Sequence, residues 1–400
     1  MHLQCHSCAT TYPPTTVFRC RECDQPFHPV YDTQLDPARI AAGDSLFEKY
    51  DNRLPSDGTL AGDEGDTPLL RARELEATLG IEATVYLKDE RRNPTGSFKD
   101  RAYAPALSLA AESGHDAVLT ASTGNAAAAC ARYAARGELD CHLLVDDEVP
   151  AGKLTEPSVY GADVVRVTDL FAGGRETQER VLGAVAERLD AYLAFAFHPV
   201  NAVVGEGIKT ISYEVVEQLA EVPDVVVTAT GGGDNLAAQY RGYRELAEAD
   251  IVDETPKMVA AQAAGAAPLV EAVERGASTP TAVDNPETIA SGIDAPFAGQ
   301  HGLDAIRDSE GTAVGIADEA IVDAVTTLAR TEAVWAEPAS ATVVPVLAEL
   351  GERGIVGAAD TVVLTITGSG HKHTEPVKQS LPTIPTVECD PGTIADAVGD

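Results

Sequence analysis

Four hundred residues exceed one ordinary domain and suit two with a small appendage, because domains cluster near ~100–200 residues. Hydrophobic residues at 44% allow a buried core and exclude global disorder, while 63 acidic against 29 basic residues give a charge of −34 that repels nucleic acid and anionic membranes. No run reaches the ~18 apolar residues that cross a bilayer, and Met1-His2-Leu3-Gln4-Cys5 has neither the basic nor the apolar part of a secretion signal, so a cytoplasmic setting without nucleic-acid or membrane partners is expected.

In chain order, the first feature is C-x2-C-x11-C-x2-C, formed by Cys5, Cys8, Cys20 and Cys23. Paired knuckles offer two sulfurs each to one ion, which reads as a closed tetrahedral Zn2+ site with a structural role. A short β-hairpin carrying Tyr12 and Phe18 would bridge the knuckles. So small a module cannot build a core, and the metal would supply its folding energy. Redox or fortuitous cysteines are the alternative; Cys130, Cys141 and Cys389 are scattered elsewhere.

After a polar connector, short apolar runs alternate with helical patterns. The expected strands are Thr84 to Lys88, Ala117 to Ala121, Cys141 to Val145, Asp163 to Val167, Tyr192 to Phe197, Val225 to Ala229, Met258 to Gln262 and Thr361 to Ile366. The expected helices include Asn125 to Arg136, Gly174 to Leu189, Val204 to Ala220 and Asp318 to Arg330. Buried strands alternating with helices imply an α/β architecture of parallel sheets covered on both faces, and the length favours two sheets. The tail from Leu381 to Asp400, rich in Pro, Thr and Asp, reads as peripheral.

Ligand sites in such folds lie at the carboxyl ends of strands. Ala121-Ser122-Thr123-Gly124-Asn125 follows one expected strand and Thr230-Gly231-Gly232-Gly233-Asp234-Asn235 another. Successive glycines at a helix start can aim backbone amides at a phosphate. A glycine turn that packs a helix close to a sheet is the alternative. In Asn93-Pro94-Thr95-Gly96-Ser97-Phe98-Lys99-Asp100-Arg101 a turn delivers Lys99 to a helix start, where desolvation and the helix end both favour a neutral, nucleophilic amine. A surface lysine is the default reading for any one such residue.

These motifs, with Gly65-Asp66-Thr67-Pro68-Leu69, Glu206-Gly207-Ile208-Lys209-Thr210, Ala336-Glu337-Pro338-Ala339-Ser340-Ala341 and Thr367-Gly368-Ser369-Gly370, closely resemble the threonine synthases and their pyridoxal 5'-phosphate relatives of the tryptophan synthase β-chain fold. The resemblance spans about Gly62 to Lys372, and the cysteine module recurs in archaeal-type threonine synthases. It implies a two-domain enzyme: residues 1–34 a zinc ribbon, 35–100 and 201–380 the large domain, 101–200 the small cofactor and substrate domain, and 381–400 a tail. It also implies a lyase making L-threonine and phosphate from O-phospho-L-homoserine and water, acting on a small-molecule amino-acid substrate and homodimeric as is common in the family; no separate allosteric domain is visible in the sequence.

By the same resemblance Lys99 would join the cofactor as a Schiff base and later shuttle protons, and Asn125 would bond the ring hydroxyl. Amides of Gly231, Gly232, Gly233, Asp234 and Asn235 would hold the cofactor phosphate, and Thr367 would face the ring nitrogen. Ser122 and Thr123 would receive the substrate carboxylate. Glu337 and Pro338 would cap a helix or support site residues from behind, and His198, His371 and His373 read as packed or surface residues. Two positions depart from the pattern: Ala126 stands where the family has threonine, and Asn201-Ala202-Val203-Val204-Gly205 lacks the arginine that grips the substrate phosphate. Lys153 and Lys209 match family positions and would compensate, with Arg132 and Arg175 as further candidates. A carboxylate at Asp234, where many relatives have glycine, must point away from the cradle. The departures keep a serine or threonine dehydratase, or a cysteate-synthase-like enzyme, as the alternative, ahead of a non-catalytic paralogue. Only 8 of the 29 basic residues are lysine, which with the acidic excess resembles a protein from a high-salt cytoplasm, where ~1 M salt shrinks the Debye length to about 3 Å.

Overall fold

The computed structural model describes the chain apart from Val17, Glu148, Pro150, Asp169, residues 171–173, Gln379 and Asp400, and gives only the backbone of 39, 41, 42, 174–178 and 399. Its strands in chain order are β1 (His2–Cys5), β2 (Thr11–Tyr12), β3 (Phe27–Val30), β4 (Leu69–Arg71), β5 (Thr84–Asp89), β6 (Ala117–Ala121), β7 (Asp140–Asp146), β8 (Asp163–Val167), β9 (Tyr192–Leu193), β10 (Val225–Ala229), β11 (Lys257–Ala263), β12 (Thr312–Ile316) and β13 (Thr361–Ile366). They form a six-stranded sheet ordered β12-β11-β10-β13-β5-β4, a four-stranded sheet ordered β8-β7-β6-β9, and a three-stranded sheet ordered β2-β1-β3. Every pairing in the first two is parallel except β4 with β5. The central strands β6 and β10 are buried at every residue, which is why they read as unbroken apolar runs.

Among the edges of the two larger sheets, β8 spans the expected Asp163–Val167, but β4 and β12 carry no such signal. β4 and β12 each pair on one side only, so neither needs the continuous apolar run that marks a central strand. The expected strand Tyr192 to Phe197 ladders only as β9. Ala194 N still donates to Leu119 O at 2.8 Å before a turn closes from Phe197 N to Phe195 O at 2.9 Å. The expected helix Val204 to Ala220 runs only over Thr210–Leu219. Turns precede it, with Glu206 N on Val203 O at 2.9 Å, and at Gly207 a Cβ would stand 1.8 Å from the Arg101 carbonyl oxygen. That close approach of two backbones admits only glycine.

Beneath this contact lies a buried ion network. Arg101 is wholly buried in the first turn of the helix Lys99–Glu112. It donates to Glu90 at 2.7 and 2.9 Å, to Glu214 at 2.6 and 2.7 Å, and to Thr67 and Thr210. Lys88 reaches the same Glu214 at 2.7 Å. Charges so far from water are tolerable only when paired and hydrogen-bonded, and here the pairing ties the start of that helix to β5 and to Thr210–Leu219.

In the amino-terminal module β1 pairs antiparallel with β2 and β3, and Tyr12 meets Phe27 with ring centroids 4.8 Å apart. Phe18, expected on the hairpin, lies outside the strands. Its N–H donates to Val200 O at 2.5 Å, and its ring fills the place where a Cβ on Gly183 would come within 2.7 Å. Arg19 lies 3.7 Å from Glu179, and Tyr31 donates to Glu206 at 2.7 Å. The module therefore touches elements belonging to both larger sheets. Leu381, Ile384 and Val387 of the tail are exposed, as are most residues of its helix Pro391–Gly399. Among the described residues no helix is long and apolar enough to cross a membrane.

Candidate active site

The turn Asn93 to Gly96 closes with Gly96 N on Asn93 O at 2.8 Å, Gly96 having φ +78. Asp100 holds it from behind, accepting from Thr95 N at 2.9 Å and Thr95 Oγ1 at 2.7 Å. The next residues are stitched to the loop that leaves β13: Phe98 N donates to Thr367 O at 3.0 Å and Ser369 N to Gly96 O at 2.9 Å. Lys99 then opens its helix, half-buried, with Nζ 4.8 Å from the centre of the Phe98 ring. No hydrogen bond to its amine is present among the described residues. Burial lowers the Lys99 pKa and the Asp234 charge only partly offsets this, so the amine is biased toward the neutral, nucleophilic form.

Thr367 is buried at the end of β13, its Oγ1 2.7 Å from Ser340 Oγ. Ser340 Oγ also accepts from Gly368 N at 2.7 Å. Asn125, at the start of the helix Asn125–Arg136, donates from Nδ2 to both carboxylate oxygens of Glu337, at 2.9 and 3.1 Å. Burial pushes the Glu337 carboxyl up to about 7, against the pull of Asn125, Lys372 and Lys153. Ser122 and Thr123 stand half-buried in the loop just before Asn125, with Gly124 N on Ser122 Oγ at 3.3 Å.

The triple-glycine turn leads into the helix Asp234–Glu248. A Cβ on Gly231 would lie 3.1 Å from Ile293 Cα, and one on Gly233, which has φ +102, 3.0 Å from Gly302 Cα. Gln262 braces the turn from below, donating to the Thr230 and Gly231 carbonyls at 3.1 Å. Asn235 directs its side chain to Thr228 at 3.0 Å, which leaves its backbone amide as its contribution to the turn. The Asp234 carboxylate accepts from His198 N at 2.6 Å and sits 3.2 Å from His301 Nε2. Burial would raise this carboxyl; His301 and the His198 N–H outweigh it and hold it below the usual range. His301 carried no sequence signal, because only the fold brings it to Asp234.

The expected cations separate. Lys153 donates to Ser291 Oγ at 3.0 Å and lies within electrostatic reach of Glu337. Lys209 is fully buried and bound to Glu206 at 2.8 Å and Glu245 at 3.1 Å, with Nζ 4.2 Å from the centre of the Tyr31 ring. The structure thus places this expected substrate cation in a buried ion pair with two carboxylates. Arg132 lies 4.0 Å from Asp100, and the side chain of Arg175 falls outside the described residues. In the run Asn201 to Glu206, where the expected arginine is missing, Val204 is buried.

In the module, the sulfurs of Cys5, Cys8, Cys20 and Cys23 all lie within 4.8 Å of one another, the donor set of a closed thiolate site and compatible with zinc. At the main site the residues fit pyridoxal phosphate: a desolvated amine, a turn without side chains opening a long helix, and a buried hydroxyl at the end of a strand.

Comparison with known proteins agrees. Residues 60–368 match the pyridoxal-phosphate dependent enzyme family. The threonine synthase of Methanocaldococcus jannaschii is 35% identical over 97% of this chain and 96% of its own, and that of Methanosarcina acetivorans 35% identical over 92% and 91%. Threonine deaminase isoform 2 from Solanum lycopersicum superposes with a TM-score of 0.67 at 23% identity, covering 89% of this chain and 99% of that one, a likeness that shows the fold. With the parallel sheets, the lysine loop and the glycine turn in place, the chain belongs to the pyridoxal-phosphate-dependent enzymes, lyases of the tryptophan synthase β-chain fold with threonine synthases among its relatives.

Proposed function

We propose that the protein is a threonine synthase, converting O-phospho-L-homoserine and water into L-threonine and phosphate. The observation that carries this is the stitching of the Lys99 loop to the Thr367 loop in a chain whose threonine synthase relative matches it almost end to end. Bound pyridoxal phosphate supplies an electron sink for the carbons next to the substrate amine. The Lys99 amine would hold the cofactor and would move protons at the α- and β-carbons of the substrate. Amides from Gly231 to Asn235 hold the cofactor phosphate at the helix start. Asn125 bonds the ring hydroxyl. Thr367 would offer the ring nitrogen a neutral hydroxyl in place of a carboxylate. Ser122 and Thr123 take the substrate carboxylate, and Lys153 supplies positive charge for the substrate phosphate.

Ala126 and the missing arginine favour one second reading, a serine or threonine dehydratase or a cysteate-synthase-like enzyme acting at the β-carbon. Protein in molar potassium chloride is mixed separately with O-phosphohomoserine, threonine and serine. Phosphate release with threonine formation is expected. Release of 2-oxobutyrate or pyruvate, without threonine from O-phosphohomoserine, would replace the first reading by the second.

The four-cysteine site is assigned to structural zinc. Thiolate binding would then provide the module with most of its folding energy. Cys5→Ser is expected to make the first 34 residues sensitive to protease while the remaining fold keeps turnover. A large loss of turnover in a zinc-depleted protein whose remaining fold is intact would contradict a purely structural role.

A further inference from the structure

Glu337 occupies the N-cap position of Pro338–Ala341, yet its side chain makes no capping hydrogen bond. The carboxylate turns instead to Asn125, with Nδ2 at 2.9 and 3.1 Å from its two oxygens. Space for this pair depends on Gly368, where a Cβ would lie 2.2 Å from Glu337 Oε1 and 3.0 Å from Asn125 Nδ2. The Glu337 backbone is held to the same loop, its N–H donating to Gly368 O at 3.1 Å. The segment that carries Thr367 thus also fixes the partner of Asn125.

We propose that Glu337 is a positioning residue that sets the orientation of the Asn125 carboxamide and, through it, the hold on the cofactor's ring hydroxyl. The inference rests on the role of Asn125 in the function proposed above. An ionised carboxylate only accepts hydrogen bonds, so it holds Asn125 with Nδ2 toward it and would repel Oδ1. A protonated carboxyl can also donate, and then tolerates the opposite orientation. The charged and titratable groups around Glu337 are Lys372, which is paired with Glu156, and Lys153, which also faces His373. Glu337 lies buried between them, and burial raises its carboxyl to about 7 against their pull, so both forms of the carboxyl are accessible near neutral pH.

The test uses holoenzyme of the wild type, E337Q, E337D, N125A and the double variant E337Q/N125A. Cofactor affinity and the cofactor absorption band are followed between about pH 6 and 8. In the wild type the band should shift with pH. E337Q is expected to abolish the shift and weaken cofactor binding about tenfold to a hundredfold, the loss of one charge-assisted hydrogen bond. E337D, which keeps a titrating carboxylate, should retain the shift, and the double variant should bind no more weakly than N125A. Wild-type affinity and pH response in E337Q, or additive losses in the double variant, would overturn the proposal. If E337Q does not fold, absence of the shift in folded E337D overturns it instead. A wild type that binds no pyridoxal phosphate would defeat the functional reading itself, an outcome distinct from an unaltered E337Q.

Discussion

Lys99→Ala should leave a folded protein that no longer binds pyridoxal phosphate covalently and turns over roughly a thousandfold or more slowly, within the range of positioned acid–base groups. The geometry puts this effect in the chemistry. Lys99 makes no side-chain hydrogen bond among the described residues, and its helix is anchored instead by Phe98 N on Thr367 O and by Arg101. A lysine whose folded-state pKa is lowered costs stability while it is charged, and that cost fades as the pH rises toward the unfolded value. Removing it therefore spares the fold or slightly stabilises it. Absorbance of the bound cofactor and thermal melting separate the cases: retained covalent cofactor and turnover in the variant would rule out Lys99 as the site of attachment.

Arg101→Ala should have the largest effect on stability. Glu90 and Glu214 would each lose a guanidinium partner in a region closed to water, and breaking a buried pair from one side costs about 3–5 kcal/mol. Burial alone would raise the Glu214 carboxyl, but Arg101 and Lys88 hold it well below its usual range. A depressed carboxylate pKa contributes stability that is complete above the unfolded value and lost as the pH falls through the folded one. In the wild type this contribution persists far into acid. In the variant the acid unfolding midpoint should move up and the denaturant midpoint fall; unchanged midpoints would mean that the network is not stabilising. Because the same network orients the start of the Lys99 helix, cofactor binding should weaken with it.

Local chemistry accounts for much of what could be read directly. The buried central strands announce themselves as apolar runs because both faces are covered, and glycine turns and the lysine turn carry their own backbone requirements. The four cysteines likewise declare a shared site by spacing alone, and their sulfurs do converge. What these residues dictate is conformation and ligand chemistry within a few positions along the chain.

Partnership across the chain is another matter. Lys209 is expected to offset a missing arginine, and Glu337 to cap a helix or support the site; neither local pattern reveals that the first is paired with Glu206 and Glu245 or that the second reaches Asn125. Asp234 likewise finds His301, far along the sequence, only because Gly233 and Gly302 approach closely. The sequence alone determined the α/β class, the candidate lysine and the cysteine quartet. The tertiary structure decided which charges stand beside the lysine and glycine turns and which neutralise one another, because desolvation and pairing depend on distances in space that spacing along a chain does not encode.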